Sequence, residues 1–139
     1  METGEVLSRL PHRHPYLLID RVITIEPGKR VVAVKAVTYT EYCLAGHFPG
    51  DPVYPGAFMI EAASQAAGLL RQKEANIAGN LVEIVRFQFK KPVRPGHLIV
   101  IEALQNNAKG PFLLADVTLT VNDTLVARGS LQIYTPKNS

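Results

Sequence analysis

Cysteine is nearly absent: Cys43 is the single one in 139 residues. No internal disulfide can form, so a reducing cytosol is the natural setting and Cys43 reads as a small apolar filler. No stretch reaches the roughly 18 apolar residues of a membrane span. The opening "METGEVLSRLPHRHPY" has an early acidic residue and no apolar core, so no secretory leader is expected. Neither CxxC nor HExxH occurs and the four histidines are scattered, so no metal or other cofactor is expected. Aromatics make up only 7% and no basic run is present, which argues against nucleic acid as a partner. The net charge of +3 is modest. It serves solubility, or it forms a patch for an acidic partner.

What remains is an ordinary globular composition, 47% apolar and 19% charged, of a size for one domain over 1–139. "LLIDRVITIEPGKRVVAVKAVTYT" reads as two strands around the turn "EPGKR". Residues 41–56 are rich in glycine and proline and read as an irregular loop. From about Ala57 to Ala75 the composition switches to helix formers, and "NIAGN" ends the helix. "LVEIVRFQFKKPV", "HLIVIEALQNNA", "FLLADVTLTVND" and "TLVARGSLQIYT" follow as strand-like runs separated by turn residues. The plan is α+β: two strands, one long helix, then a meander of about four strands. The helix is apolar on most of its circumference and must be buried nearly all round. A curved sheet wrapped around it would satisfy this, and a second subunit would help to cover the rest.

The polar residues of this helix are not scattered. At about 100° per residue, Ser64, Gln65 and Gly68 all lie within about 60° of Glu61, and Gln72 continues the same face. No Lys or Arg stands three or four residues from Glu61 to pair with it locally. A carboxyl on a buried helix is costly unless paired or employed. The loop before the helix, "GHFPGDPVYPG", is stiffened by Pro49, Pro52 and Pro55. Gly46, Gly50 and Gly56 allow close backbone approach. So rigid a frame around His47 suggests an aimed ring, although a lone histidine is more often structural. Pro55-Gly56 leads straight into the helix and leaves unpaired N–H groups at its positive end. A histidine, a carboxylic acid and a helix-start N–H form an acid/base set. They suit removal of a proton next to a thioester carbonyl and loss of a β-hydroxyl. A thioesterase could use similar parts.

At these residues the chain resembles the β-hydroxyacyl-acyl carrier protein dehydratases of type II fatty acid synthesis. The match runs through Gly46-His47-Phe48-Pro49, Pro52-Val53, Pro55-Gly56, Glu61-Ala62, Gln65-Ala66 and Gly68. "LPHRHPYLLIDRV" (10–22) supports it, and "RFQFKKPVRPG" (86–96) does so more weakly. The resemblance implies a hotdog fold, dimers often assembled as trimers of dimers, and sites at the dimer interface. It implies His47 as general base and Glu61 of the partner subunit as the acid that handles the leaving water. It implies that the Gly56 N–H binds the thioester oxygen, the Val53 carbonyl orients His47 and Gln65 holds Glu61. Phe48 and Tyr54 would join the substrate pocket, and the partner would be the acyl carrier protein bearing the substrate.

Some positions depart from the family pattern. Tyr54 stands where methionine is usual, His97 where aspartate is usual and Ser64 where alanine is common. "ANIAGNLVEIVRF" lacks the aromatic pair often found between helix and strand. These leave chain length and pathway open. His12 and His14 read as structural residues that seat the N-terminal segment, and Asp20-Arg21 as a structural pair. Arg86, Lys90, Lys91 and Arg94 form either a solvated face or a docking patch for an acidic carrier. Three other functions compete: a hotdog acyl thioesterase, a non-catalytic acyl-binding protein and a dehydratase that also isomerises the double bond. The last is disfavoured because that branch commonly has aspartate where Glu61 stands.

Overall fold

The computed structural model describes residues 2–48, 50–71 and 79–135. In chain order the elements are helix α1 (Thr3–Arg9), strands β1 (Arg21–Glu26) and β2 (Arg30–Ala36), a single 3₁₀ turn (Tyr42–Ala45), helix α2 (Gly56–Gly68), and strands β3 (Asn80–Phe89), β4 (Leu98–Lys109), β5 (Phe112–Val121) and β6 (Thr124–Tyr134). The strands form one six-stranded sheet, ordered β1-β2-β4-β5-β6-β3, with every pair antiparallel.

Turn chemistry sets the register. Gly28 supplies a φ of 74° between β1 and β2. Asn122 and Asp123, at φ 49° and 64°, make the two-residue hairpin between β5 and β6, where Val121 faces Thr124. Two consecutive left-handed residues of this kind match the natural twist of a hairpin. In β5 the residues Leu113, Ala115, Val117, Leu119 and Val121 are buried while their neighbours are only partly covered. This period-2 pattern is that of a sheet with one face on a core.

That face lies on α2, which contacts β2, β3, β4, β5 and β6. The helix buries Met59 and every residue from Ala62 to Gly68. Four of those are alanines, whose small side chains let the strands approach closely. A helix so fully covered is the expected mate of a curved sheet, and the arrangement is the α+β hotdog fold.

Two expectations need correction, and one element is new. The helix ends at Gly68 rather than near Ala75. There the N–H groups of Leu69 and Leu70 turn to the carbonyls of Ala66 and Ala67, at 3.1 Å each, a tightened last turn that closes a helix. The positions of Gln72 and Ala75 lie outside the described residues. The last four strands are not a simple meander: β4, β5 and β6 are, but β3 crosses to pair with β6 at the far edge. Helix α1 was not anticipated; its Val6 and the following Leu10 are buried one turn apart, a spacing that places both on one helical face.

Candidate active site

The histidine loop is tied to the sheet at several points. Lys35 of β2, nearly buried, holds Glu41 Oε1 at 2.6 Å before the 3₁₀ turn. The Asp51 N–H donates to Phe48 O at 2.9 Å, and the Tyr54 N–H donates to Val93 O at 2.7 Å. Arg94 reaches Asp51 Oδ1 at 3.1 Å, and that guanidinium holds the Asp51 carboxyl below its ordinary range. His97, where the family pattern has aspartate, accepts the Arg94 N–H on Nδ1 at 3.0 Å. The loop and the 92–97 turn therefore brace each other.

Within this frame His47 Nδ1 lies 2.5 Å from Val53 O. A carbonyl only accepts, so Nδ1 carries a proton, and in the neutral ring the lone pair is then on Nε2. Phe48, at φ 55°, packs its ring 4.5 Å from the imidazole and is itself exposed. It does not line the cavity described next.

His47, Val53, Tyr54 and Gly56 line one cavity of about 250 Å³, together with Met59, Phe89, Lys90, Lys91 and Pro92. Gly56 opens α2, so its N–H has no partner within the helix. A Cβ there would sit 2.9 Å from the Phe89 ring, so glycine is what lets that ring close over the helix start. Tyr54 is 1% exposed. Burial, reinforced by the charges of Glu41, Cys43 and Asp20, pushes its phenol far up, and the ring meets Phe58 edge-on at 6.0 Å.

Glu61 does not line this cavity. It stands about 200° around the helix from Met59, so the chain's own Glu61 points away from its own His47. Its Oε2 accepts a hydrogen bond from Gln65 Nε2 at 2.9 Å. Gln65 is 1% exposed. Its amide also donates to Tyr16 O at 2.8 Å and accepts the Leu18 N–H at 2.9 Å. Through Gln65 the N-terminal strap 10–20 is fastened to the helix that bears the carboxyl.

A FabA-like domain matches residues 10–130. The 3-hydroxyacyl-[acyl-carrier-protein] dehydratase FabZ of Thermoanaerobacter pseudethanolicus is 39% identical over 134 residues, covering 94% of each chain. That of Thiobacillus denitrificans is 46% identical over 109 residues, covering 74% of this chain and 75% of its own. The chain belongs to the FabA-like family. The dehydratase heterocomplex ApeI:P from Xenorhabdus doucetiae shares the fold, with a TM-score of 0.81 at 23% identity over 96% of this chain and 91% of that one.

Within this FabA-like frame two placements go beyond what the sequence implied. His12, read as a strap residue, brings its Nε2 to 3.8 Å from Glu61 Oε2. The signal was its place in "LPHRHPYLLIDRV", a motif that the same resemblance had already singled out. Lys90 and Lys91 line the His47 cavity, while Arg94 is engaged with Asp51 and Arg86 lines a separate surface recess with Asp116 and Arg128. The four cations do not share one face, because β3 ends at Phe89 and strand alternation stops there. Asp20 does not pair with its neighbour's charge in the way the sequence suggested: its carboxylate accepts the Ala36 N–H at 2.8 Å. Among the described residues no three His, Cys, Asp or Glu side chains group as metal ligands, and no helix is long and apolar enough to cross a membrane.

Proposed function

We propose that this protein, as a single domain, converts (3R)-hydroxyacyl-[acyl-carrier protein] into the trans-2-enoyl thioester and water, as a cytoplasmic step of fatty acid or related acyl-chain biosynthesis. Family membership supports the chemistry. The observation that carries the site assignment is the 2.5 Å contact between His47 Nδ1 and Val53 O, which makes Nε2 of the neutral ring the base.

In this reading the acyl thioester lies in the cavity with its carbonyl oxygen at the Gly56 N–H. His47 Nε2 takes the proton from the carbon next to the carbonyl. The helix start stabilises the enolate-like charge. The electron pair then forms the double bond as the C–O bond to the β-hydroxyl breaks. A protonated Glu61 gives its proton to that hydroxyl, which leaves as water. One proton is gained by His47 and one lost by Glu61, and exchange with solvent resets both.

Glu61 must come from a second copy, because in one chain it faces away from the cavity. The free edge of the sheet supports that assembly. Among the described residues strand β3 pairs with β6 alone, and it exposes Val82, Ile84, Val85 and Phe89, each 47–56% accessible. An apolar strand with an unsatisfied edge is a template for another strand. The cavity residues Lys90 and Lys91 suit an acidic carrier, whose encounter they would speed.

Purified protein is to be assayed with a carrier-bound 3-hydroxyacyl thioester. Enoyl absorbance without release of free thiol is expected, and thiol release would favour a thioesterase instead. His47→Ala should lower turnover by at least about a hundredfold, the low end for a general base; a near-normal rate would remove His47 from the role.

A further inference from the structure

The N-terminal strap places a second imidazole at the carboxyl rather than at the base. His12 Nε2 stands 3.8 Å from Glu61 Oε2, the same oxygen that accepts from Gln65. The ring is held from several directions. It stacks on Tyr16, with 14° between the planes and 6.4 Å between centroids. Arg13 pins the backbone beneath it, donating to the carbonyls of Leu10, His12 and Leu7 at 2.7, 2.7 and 2.9 Å. Tyr16 O and the Leu18 N–H are in turn bound to the Gln65 amide.

The other ring nitrogen decides the tautomer. His12 Nδ1 is buried and has no hydrogen-bond partner among the described residues. A neutral imidazole carries one N–H and one lone pair. An N–H orphaned in the interior costs more than an unused lone pair, because the donor forfeits a bond that it could make elsewhere. Placing the proton on Nε2 avoids that cost and aims the N–H at Glu61. Burial, with Arg13 adding to it and Glu61 opposing, holds the imidazole below its ordinary 6.5, consistent with a neutral ring. At 3.8 Å the pair is not yet a hydrogen bond; such contacts are often long in a resting site and tighten when substrate is bound.

We propose that His12 is a positioning residue for Glu61: its Nε2–H and the Gln65 amide together claim Oε2 as the accepting oxygen, so that the acid's proton sits on Oε1 for delivery to substrate. A carboxylic acid has one oxygen that bears the proton and one that accepts. Two donors on Oε2 fix which is which. A neutral donor does this without the cost a cation would bring, since an imidazolium beside Glu61 would stabilise the carboxylate and leave less of the protonated form to deliver a proton. The role of Glu61 as acid rests on the function proposed above, whereas the tautomer of His12 does not.

Two measurements test the two parts separately. The ring nitrogens of the 15N-labelled protein, with the His12 signals assigned by their loss in His12→Phe, should show the proton on Nε2. A proton on Nδ1 overturns the proposal whatever the enzyme's activity. In the dehydration assay His12→Phe keeps a ring but removes the donor. It should lower kcat about tenfold with KM little changed. His12→Gln, which restores a donor at similar reach, should recover most of that loss. An unchanged kcat in His12→Phe, a change in KM alone, or a loss that glutamine does not rescue in a folded variant would each overturn the positioning role. If parent enzyme shows the Nε2–H tautomer but no dehydration, the proposed function fails and the role of His12 as Glu61's proton-placing partner fails with it, while the tautomer assignment stands.

Discussion

At the residue scale, the departures from the family pattern become physical statements. Tyr54 fills its site with a ring, yet its hydroxyl is buried without a partner among the described residues. An unpaired buried hydroxyl costs about 1–3 kcal/mol. Tyr54→Phe keeps the ring and removes the cost, so it should raise Tm by about 2–4 °C for each kcal/mol recovered. A fall in Tm on thermal unfolding would mean that the hydroxyl is satisfied. His12 gives a pH-dependent counterpart. The fold holds its imidazole below 6.5, through burial and Arg13 and against the pull of Glu61, so the folded state binds that proton less readily than the unfolded chain does. The stability it contributes is therefore present above 6.5 and lost as pH falls from there through the lower folded value. Denaturant midpoints taken on both sides of 6.5 should fall less steeply on acidification in His12→Gln than in the parent. Equal slopes would mean that His12 titrates alike in both states.

Elements were more legible than their partners. The two hairpin strands, the helix start at Pro55-Gly56 and the four later strands could be read because turn residues and apolar periodicity are local signals. The helix end was misplaced because alanine and leucine continue past Gly68, and composition does not reveal a tightened turn. The crossing of β3 to the far edge was unreadable, since pairing across the sheet depends on contacts that no local pattern encodes. The site divided in the same way. His47, Val53, Gly56, Glu61 and Gln65 stood out by motif and by helical phase. His12 did not, because its partner lies forty-nine positions along the chain. Strand β3 also carries a steric constraint invisible in sequence. Gly129 of β6 faces Phe87 of β3, and a Cβ there would lie 2.2 Å from Arg86 O. Backbone cannot yield as a side-chain tip can, so Gly129→Ala must push the edge strand outward. Overpacking of this kind costs about 1–3 kcal/mol, a fall in Tm of about 2–12 °C. It should also raise hydrogen exchange in β3 above that in β4; an unchanged Tm would show that the strands part without strain.

At the scale of the whole molecule, the proposed function ties activity to pairing. His47 lines a cavity that its own Glu61 does not line, and in the proposed assembly the apolar edge of β3 is the surface through which a twin supplies it. A twofold assembly holds two equivalent sites, each built from the histidine of one copy and the carboxyl of the other. His47→Ala and Glu61→Gln chains should each be inactive alone. When the two are co-expressed, about half of the pairs are mixed, and each mixed pair rebuilds one of its two sites from its undamaged residues. Activity should then return to about one quarter of the parent's level. A site complete within one chain has no such rescue, since every chain in the mixture still lacks one of its two groups. The same mixture carrying Val85→Lys in both chains should lose the rescue, because a charge on the β3 edge opposes strand pairing. Sedimentation should show the pairs dissociated in step with the lost activity. Rescue that survived the lysine would place the contact on another surface, and no rescue in a mixture shown to contain mixed pairs would end the shared-site reading.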